Sequence, residues 1–177
     1  MTDTQSRNGI SRRNFVKAAS AATLVLTAHA VIHPIEAWGL ETKGLDPETV
    51  QTLIQAARDI YPHDKISDRF YAVAIKDYDT KAATDPKIKS LVEDGVARLN
   101  AAAKTAHGST YVEVGWEEDR VAILRQIEAT PFFKTLRGGL VTGLYNQKDV
   151  WPVFGYEGES ASKGGYVDRG FNDIAWL

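Results

Sequence analysis

No cysteine occurs in the 177 residues of this chain. That absence excludes disulfides, thiolate-held iron–sulfur clusters and covalently attached c-type haem. It also removes the thiol nucleophile, and no Ser stands in a nucleophile elbow. Histidine is scarce. His29 and His33 fall in the N-terminal segment, His63 and His107 stand far apart, and no short-range metal-ligand spacing results. Charge of one sign is lacking too: 21 basic residues face 23 acidic ones. This mixed, mildly acidic balance has no footprint for nucleic acid. Long apolar runs are absent. The uncharged stretch 18–35 is mostly Ala and Thr and is interrupted by His29, His33 and Pro34. A spanning helix needs roughly 20 strongly apolar residues, so this is a weak anchor at best. No internal repeat, low-complexity tract or sheet-like alternation is present.

What is present begins with Ser11-Arg12-Arg13-Asn14-Phe15-Val16-Lys17, followed directly by the uncharged run. Paired arginines ahead of a modest apolar segment form the address of the bacterial twin-arginine export pathway, with Arg12, Arg13 and Phe15 as its main determinants. That pathway carries folded proteins, which suits cargo loaded with cofactor before export. The expected location is therefore periplasmic. Ala28-His29-Ala30 is a small-x-small site, and cleavage after Ala30 is the first reading, with an uncleaved N-terminus as the alternative. Removing residues 1–30 takes away Arg7, Arg12, Arg13 and Lys17 against Asp3 alone, so the formal net charge moves from −2 to about −5. The remaining length is enough for one domain with a substantial core.

A linker is expected over 31–45. Asp46-Pro47 then opens a helix, Asp as N-cap and Pro at the first position. Val50, Leu53, Ile54, Ala57 and Ile60 form its apolar stripe, and Pro62 stops it. A second helix is predicted over about 68–83, with Phe70, Val73, Ala74 and Tyr78 inward. Asp85-Pro86 starts a third, whose stripe Ile88, Leu91, Val92, Val96, Leu99 and Ala103 runs toward Gly108. Residues 109–115 read as a loop with a short extended piece. A fourth helix is predicted over 116–129, with Val121, Leu124 and Ile127 inward. Thr130-Pro131 opens the fifth, carrying Phe132, Phe133, Leu136, Leu140 and Leu144. The predicted fold is an all-α bundle of about five helices over 46–150.

Residues 151–177 differ in character. They hold six aromatics (Trp151, Phe154, Tyr156, Tyr166, Phe171 and Trp176) and five glycines, without a helical period. Such a composition is not that of a disordered segment, so the tail must pack on something. One reading makes those six aromatics anchors for a partner. The other folds the tail back over the bundle, covering helix one or five.

As an autonomous enzyme the chain looks poorly equipped. Gly138-Gly139-Leu140-Val141-Thr142-Gly143 lies in a helical pattern with no strand before it, so the dinucleotide fingerprint fails. Gly139 and Gly143, four apart, are expected to let another helix approach closely. Gly155-Tyr156-Glu157-Gly158 lacks the Lys-Ser/Thr of a phosphate-binding loop. His63, in Tyr61-Pro62-His63-Asp64, is the best candidate for chemistry with Asp64 beside it. The structural alternative is a helix-terminal His next to a turn, with Asp64 capping the next segment.

Three segments carry a resemblance. They are Ala57-Arg58-Asp59-Ile60-Tyr61-Pro62-His63-Asp64, the stretch from Phe132-Phe133 to Tyr145, and above all Val153-Phe154-Gly155-Tyr156-Glu157-Gly158 with Gly164-Gly165-Tyr166, finished by Phe171-Asn172-Asp173-Ile174-Ala175-Trp176. In these the chain resembles the gluconate 2-dehydrogenase subunit 3 family, the small subunit of membrane-associated flavin dehydrogenases. The resemblance implies an accessory subunit that binds no cofactor alone. Its partner would be a large flavoprotein of the glucose–methanol–choline type, which holds FAD, performs the oxidation and leaves the cytoplasm bound to the small subunit. A third, membrane-associated subunit would carry haem c. The resemblance supplies no catalytic residues to this chain. Two other classes stay open: a free-standing periplasmic enzyme using His63 and Asp64, and an export chaperone that leaves its client after translocation.

Overall fold

A computed structural model describes residues 41–168 and Phe171. Among them are five α-helices and no strand, so the fold is the all-α bundle expected. The helices are α1 (Pro47–Ile60), α2 (Asp68–Ala82), α3 (Pro86–His107), α4 (Glu117–Gln126) and α5 (Pro131–Tyr145). α2 packs against α1, α3 and α5, while α4 closes over α1 and α3.

Proline opens three of these helices, α1, α3 and α5. Asp85 accepts from the Lys87 amide at 2.8 Å and Thr130 from the Phe133 amide at 3.3 Å, each satisfying one of the free N–H groups of a first turn. Asp46 occupies the same position ahead of α1, but its side chain makes no capping hydrogen bond. α3 ends on Gly108 at φ 74°, the left-handed cap that glycine adopts without a Cβ penalty. α4 is shorter than its sequence pattern suggests. Trp116 is its N-cap and points into solvent, and the turn after Gln126 is tightened by the Ile127 amide bonding Leu124 O.

The inward stripes of α1, α3 and α5 match the apolar spacing, with Leu53, Leu99, Leu136, Leu140 and Leu144 fully buried, whereas in α4 Val121 is only half-buried and Ile123 joins Leu124 in the core. Full burial of one such side chain contributes on the order of 1.5–3 kcal/mol. α2 buries Ala74 and Tyr78 of its expected face, but the rest of that face is shifted. Tyr71, Ala72, Ile75 and Ala82 are buried, whereas Val73 is exposed and Phe70 only half-buried. The larger residues Tyr71 and Ile75, four apart, set the orientation. The extended piece expected in 109–115 is instead a single 3-10 turn, Tyr111–Glu113. Thr110 and Glu113 close it as a capping box, and Asn100 Oδ1 receives the Tyr111 amide at 3.0 Å.

Close approach of α5 to α2 depends on the two glycines singled out in the sequence. A methyl at Gly143 would lie 3.3 Å from Ala74 Cβ, and one at Gly139 would fall on the Tyr78 hydroxyl. That hydroxyl donates to Thr135 O at 2.9 Å, crossing between the two helices. The end of the expected linker is also held. The Lys43, Gly44 and Leu45 amides all donate to the Asp79 carboxylate, at 2.9–3.1 Å, and Leu45 is buried.

Candidate functional site

α1 stops at Ile60 because Pro62 cannot donate the next helical bond. The chain leaves through Tyr61, whose carbonyl accepts from Tyr71 Oη at 2.6 Å. This places His63 beside the last residue of α5. His63 Nε2 lies 2.7 Å from Tyr145 Oη, the direction of donation following the imidazole tautomer. Tyr61 meets the Tyr145 ring edge-on, and Phe154 meets His63 edge-on at 5.1 Å between centroids. Burial, and then the neighbouring Tyr61, raise the Tyr145 hydroxyl above its ordinary range, so it remains a neutral phenol at physiological pH. Asp64 is exposed and makes no hydrogen bond to His63 among the described residues. The His63–Asp64 pair of the enzyme alternative is not formed among the described residues; His63 instead pairs with Tyr145, with Phe154 over it. An imidazole on a neutral phenol can hold or relay a proton, and among the described residues no carboxylate is hydrogen-bonded to His63.

The tail residues divide. Trp151 Nε1 donates to Tyr145 O at 2.8 Å, Tyr156 stacks edge-on against the indole at 5.2 Å, and the Tyr156 amide returns to Trp151 O. Gly155 and Gly158 take positive φ, which allows this reversal. Thus 151–158 folds onto the end of α5, as the covering alternative requires for that part. Phe154 and Tyr156 nevertheless remain about half exposed, while Tyr166 is 59% and Phe171 80% exposed. Trp176, Arg12, Arg13, Phe15, the Ala30 cleavage site, His29 and His33 lie outside the described residues.

A second polar cluster involves none of the site residues expected from the sequence. Asp59, 6% exposed, accepts from Arg120 Nε at 2.8 Å and Nη2 at 3.0 Å, from Tyr111 Oη at 2.7 Å and from Gln55 Nε2 at 3.1 Å. Arg120 Nη1 continues to Val114 O at 2.8 Å. The carboxylate holds the Arg120 guanidinium above its ordinary value, and burial followed by Asp59 drives the Tyr111 phenol far up. Every member is satisfied, so the cluster joins α1 to α4 and to the 111–115 loop rather than offering a reactive group. A cleft of about 230 Å³ opens beside it, lined by Asp59, Ile60, Val121, Leu124, Arg125, Glu128, Phe133 and Arg137.

Among the described residues no three His, Asp or Glu side chains converge as a metal site, and no helix is long and apolar enough to cross a membrane. No protein-family model, no characterised protein and no solved structure matches this chain.

Proposed function

We propose that the chain is a non-catalytic small subunit of a periplasmic FAD-dependent dehydrogenase of sugars, sugar acids or alcohols. Its role is to assist maturation and twin-arginine export of the large flavoprotein subunit, which holds the FAD. A membrane cytochrome c subunit with haem c would complete the assembly. The observation that carries this reading is a folded-export address on a chain whose terminal aromatics, Tyr156, Tyr166 and Phe171, are left exposed. Aromatic side chains of this kind most often anchor protein interfaces. The terminal Phe154-Gly155-Tyr156-Glu157-Gly158 segment supports the family resemblance.

Replacing Arg12 and Arg13 together by Lys tests the carrier role. The expected result is that flavin and dye-linked dehydrogenase activity of the partner stay in the cytoplasmic fraction. Partner activity appearing undiminished in the periplasm would overturn it. An export chaperone instead predicts a partner that is active after the two chains separate. The His63–Tyr145 contact favours the remaining alternative, an enzyme in its own right. His63→Ala in the assembled complex decides that point, because a lost general acid or base lowers turnover by about 10²-fold or more. An unchanged turnover number is expected.

A further inference from the structure

The cleft between α1, α4 and α5 has an apolar floor of Ile60, Leu124 and Phe133 and a charged rim. Asp59, at its edge, is neutralised by Arg120, so its charge is not available to an incoming group. The rest of the rim is Arg125 and Arg137 against Glu128. Neither Arg125 nor Arg137 has a side-chain hydrogen bond or ion pair among the described residues. A guanidinium presents a planar fork of donors that matches a carboxylate. Two such forks over an apolar floor are complementary to a peptide segment with an apolar side chain flanked by acidic ones.

The cleft is also continuous with the tail. Phe133, Arg137, Val141 and Tyr145 recur every fourth residue and form one inclined ridge along α5. The ridge begins at the cleft, passes Val141, which is half exposed, and ends at the Tyr145–His63–Phe154 cluster. The Tyr61 hydroxyl reaches Arg137 O at 3.5 Å and links the two ends.

We propose that this cleft docks an acidic segment of the flavoprotein partner, an apolar side chain entering between Phe133 and Leu124 while its flanking carboxylates pair with Arg125 and Arg137. The inference rests on the subunit reading above. It adds the place and the chemistry of contact.

The test uses the full chain co-expressed with the flavoprotein, the readout being flavin retained on the affinity-purified small subunit across a salt series. If the wild-type chain retains no flavin, the subunit reading itself fails. If it does, Arg125→Glu with Arg137→Glu should weaken retention by about tenfold or more, as expected for reversing charges that steer and hold an interface. Both arginines are exposed and outside the Asp59 cluster, so helicity and the thermal midpoint should match wild type. The milder Arg125→Gln with Arg137→Gln gives the same direction should the reversal disturb folding. Glu128→Gln should act oppositely and extend retention to higher salt. Retention equal to wild type in both arginine variants would overturn the proposal. So would loss of self-association with flavin retention intact, which would assign the cleft to a second copy of this chain.

Discussion

The bundle and the tail handle their difficult groups in opposite ways. Within the bundle, the buried polar side chains Thr52, Asp59 and Asp79 all have partners. Thr52 donates to Glu48 O, Asp79 collects three successive amides, and Asp59 takes a bidentate Arg, a Tyr and a Gln. In the tail the costly groups are apolar, and several are left in water. Its ion pairs, Lys148–Glu159 and Lys163–Glu157, are exposed and contribute about 0–1 kcal/mol each. A buried charge without a partner costs several kcal/mol and is not tolerated, whereas an exposed aromatic costs only the burial it forgoes. The bundle therefore pairs its buried polar groups, while Tyr166 and Phe171 of the tail remain exposed among the described residues.

The sharpest way to break this contrast is to orphan a charge in the bundle. Asp59→Ala leaves Arg120 and the Tyr111 hydroxyl without their acceptor. Loss of one member of a buried pair typically costs about 3–5 kcal/mol, and a denaturant titration of the free chain should show a midpoint lowered accordingly. A shift under about 1 kcal/mol would mean that the cluster is more hydrated than its geometry indicates. The double variant Asp59→Ala with Arg120→Met should recover part of the loss, because the unpaired guanidinium is then gone.

Next in size is overpacking. Gly95 on α3 faces the Phe132 ring so closely that a methyl would fall within the ring's own space. Phe132 is buried and cannot swing outward. Gly95→Ala should cost about 1–3 kcal/mol, the usual penalty for an added core methyl, despite alanine's better helix propensity. Gly138→Ala, with open space around the position, is the control and should be neutral or slightly stabilising.

The Asp59 cluster also marks the limit of what residues alone reveal. Helix starts are legible because Asp46-Pro47, Asp85-Pro86 and Thr130-Pro131 are local signals, and the apolar stripes need only spacing. Asp59 lies within a recognisable motif, yet nothing beside it in the chain assigns it a role. Its place on the buried face is marked by Thr52, Ala56 and Asp59 at i, i+4, i+7, beside the main stripe. Asp79 likewise continues Ala72 and Ile75 and precedes Ala82. An acidic residue in such a register position signals a buried partner. The partner of Asp59 stands 61 positions away on α4, and pairing over that distance is settled by tertiary packing alone. His63 stands out in the sequence as a residue of interest, but its contact with Tyr145 spans 82 positions, whereas the adjacent Asp64 turns to solvent.

Alkaline pH provides a milder probe of the bundle. Burial and Asp77 push Tyr78 up to about 12, and Tyr111 is raised further. Both folded values exceed that of the free phenol, near 10. The stability these phenols contribute is thus complete below about pH 10 and is lost as pH rises through the folded values. Phenolate absorbance from Tyr78 and Tyr111 should appear only together with unfolding, both phenols being raised by burial. Simultaneous titration of all tyrosines in a helical chain would contradict the burial of that pair.

The smallest expected effect on stability is also the most informative about the tail. Residues 151–158 are tied to α5 through the Trp151–Tyr145 hydrogen bond and the Phe154 contacts, whereas Tyr166 and Phe171 beyond Gly158 are exposed. A chain ending after Gly158 should unfold within about 0.5 kcal/mol of full length, the range of changes on a surface. It should nevertheless retain far less flavoprotein. Ending after Val150 removes the anchored part as well; the lost hydrogen bond alone contributes about 0.5–1.5 kcal/mol, with the Phe154 packing in addition. The two truncations therefore separate the portion of the tail that covers the bundle from the portion that reaches outward. If the shorter cut at Gly158 already abolishes cooperative unfolding, the whole tail belongs to the core. If it leaves flavoprotein retention at the full-length level, Tyr166 and Phe171 are not anchors, and the contact surface lies in the α5 ridge and its cleft instead.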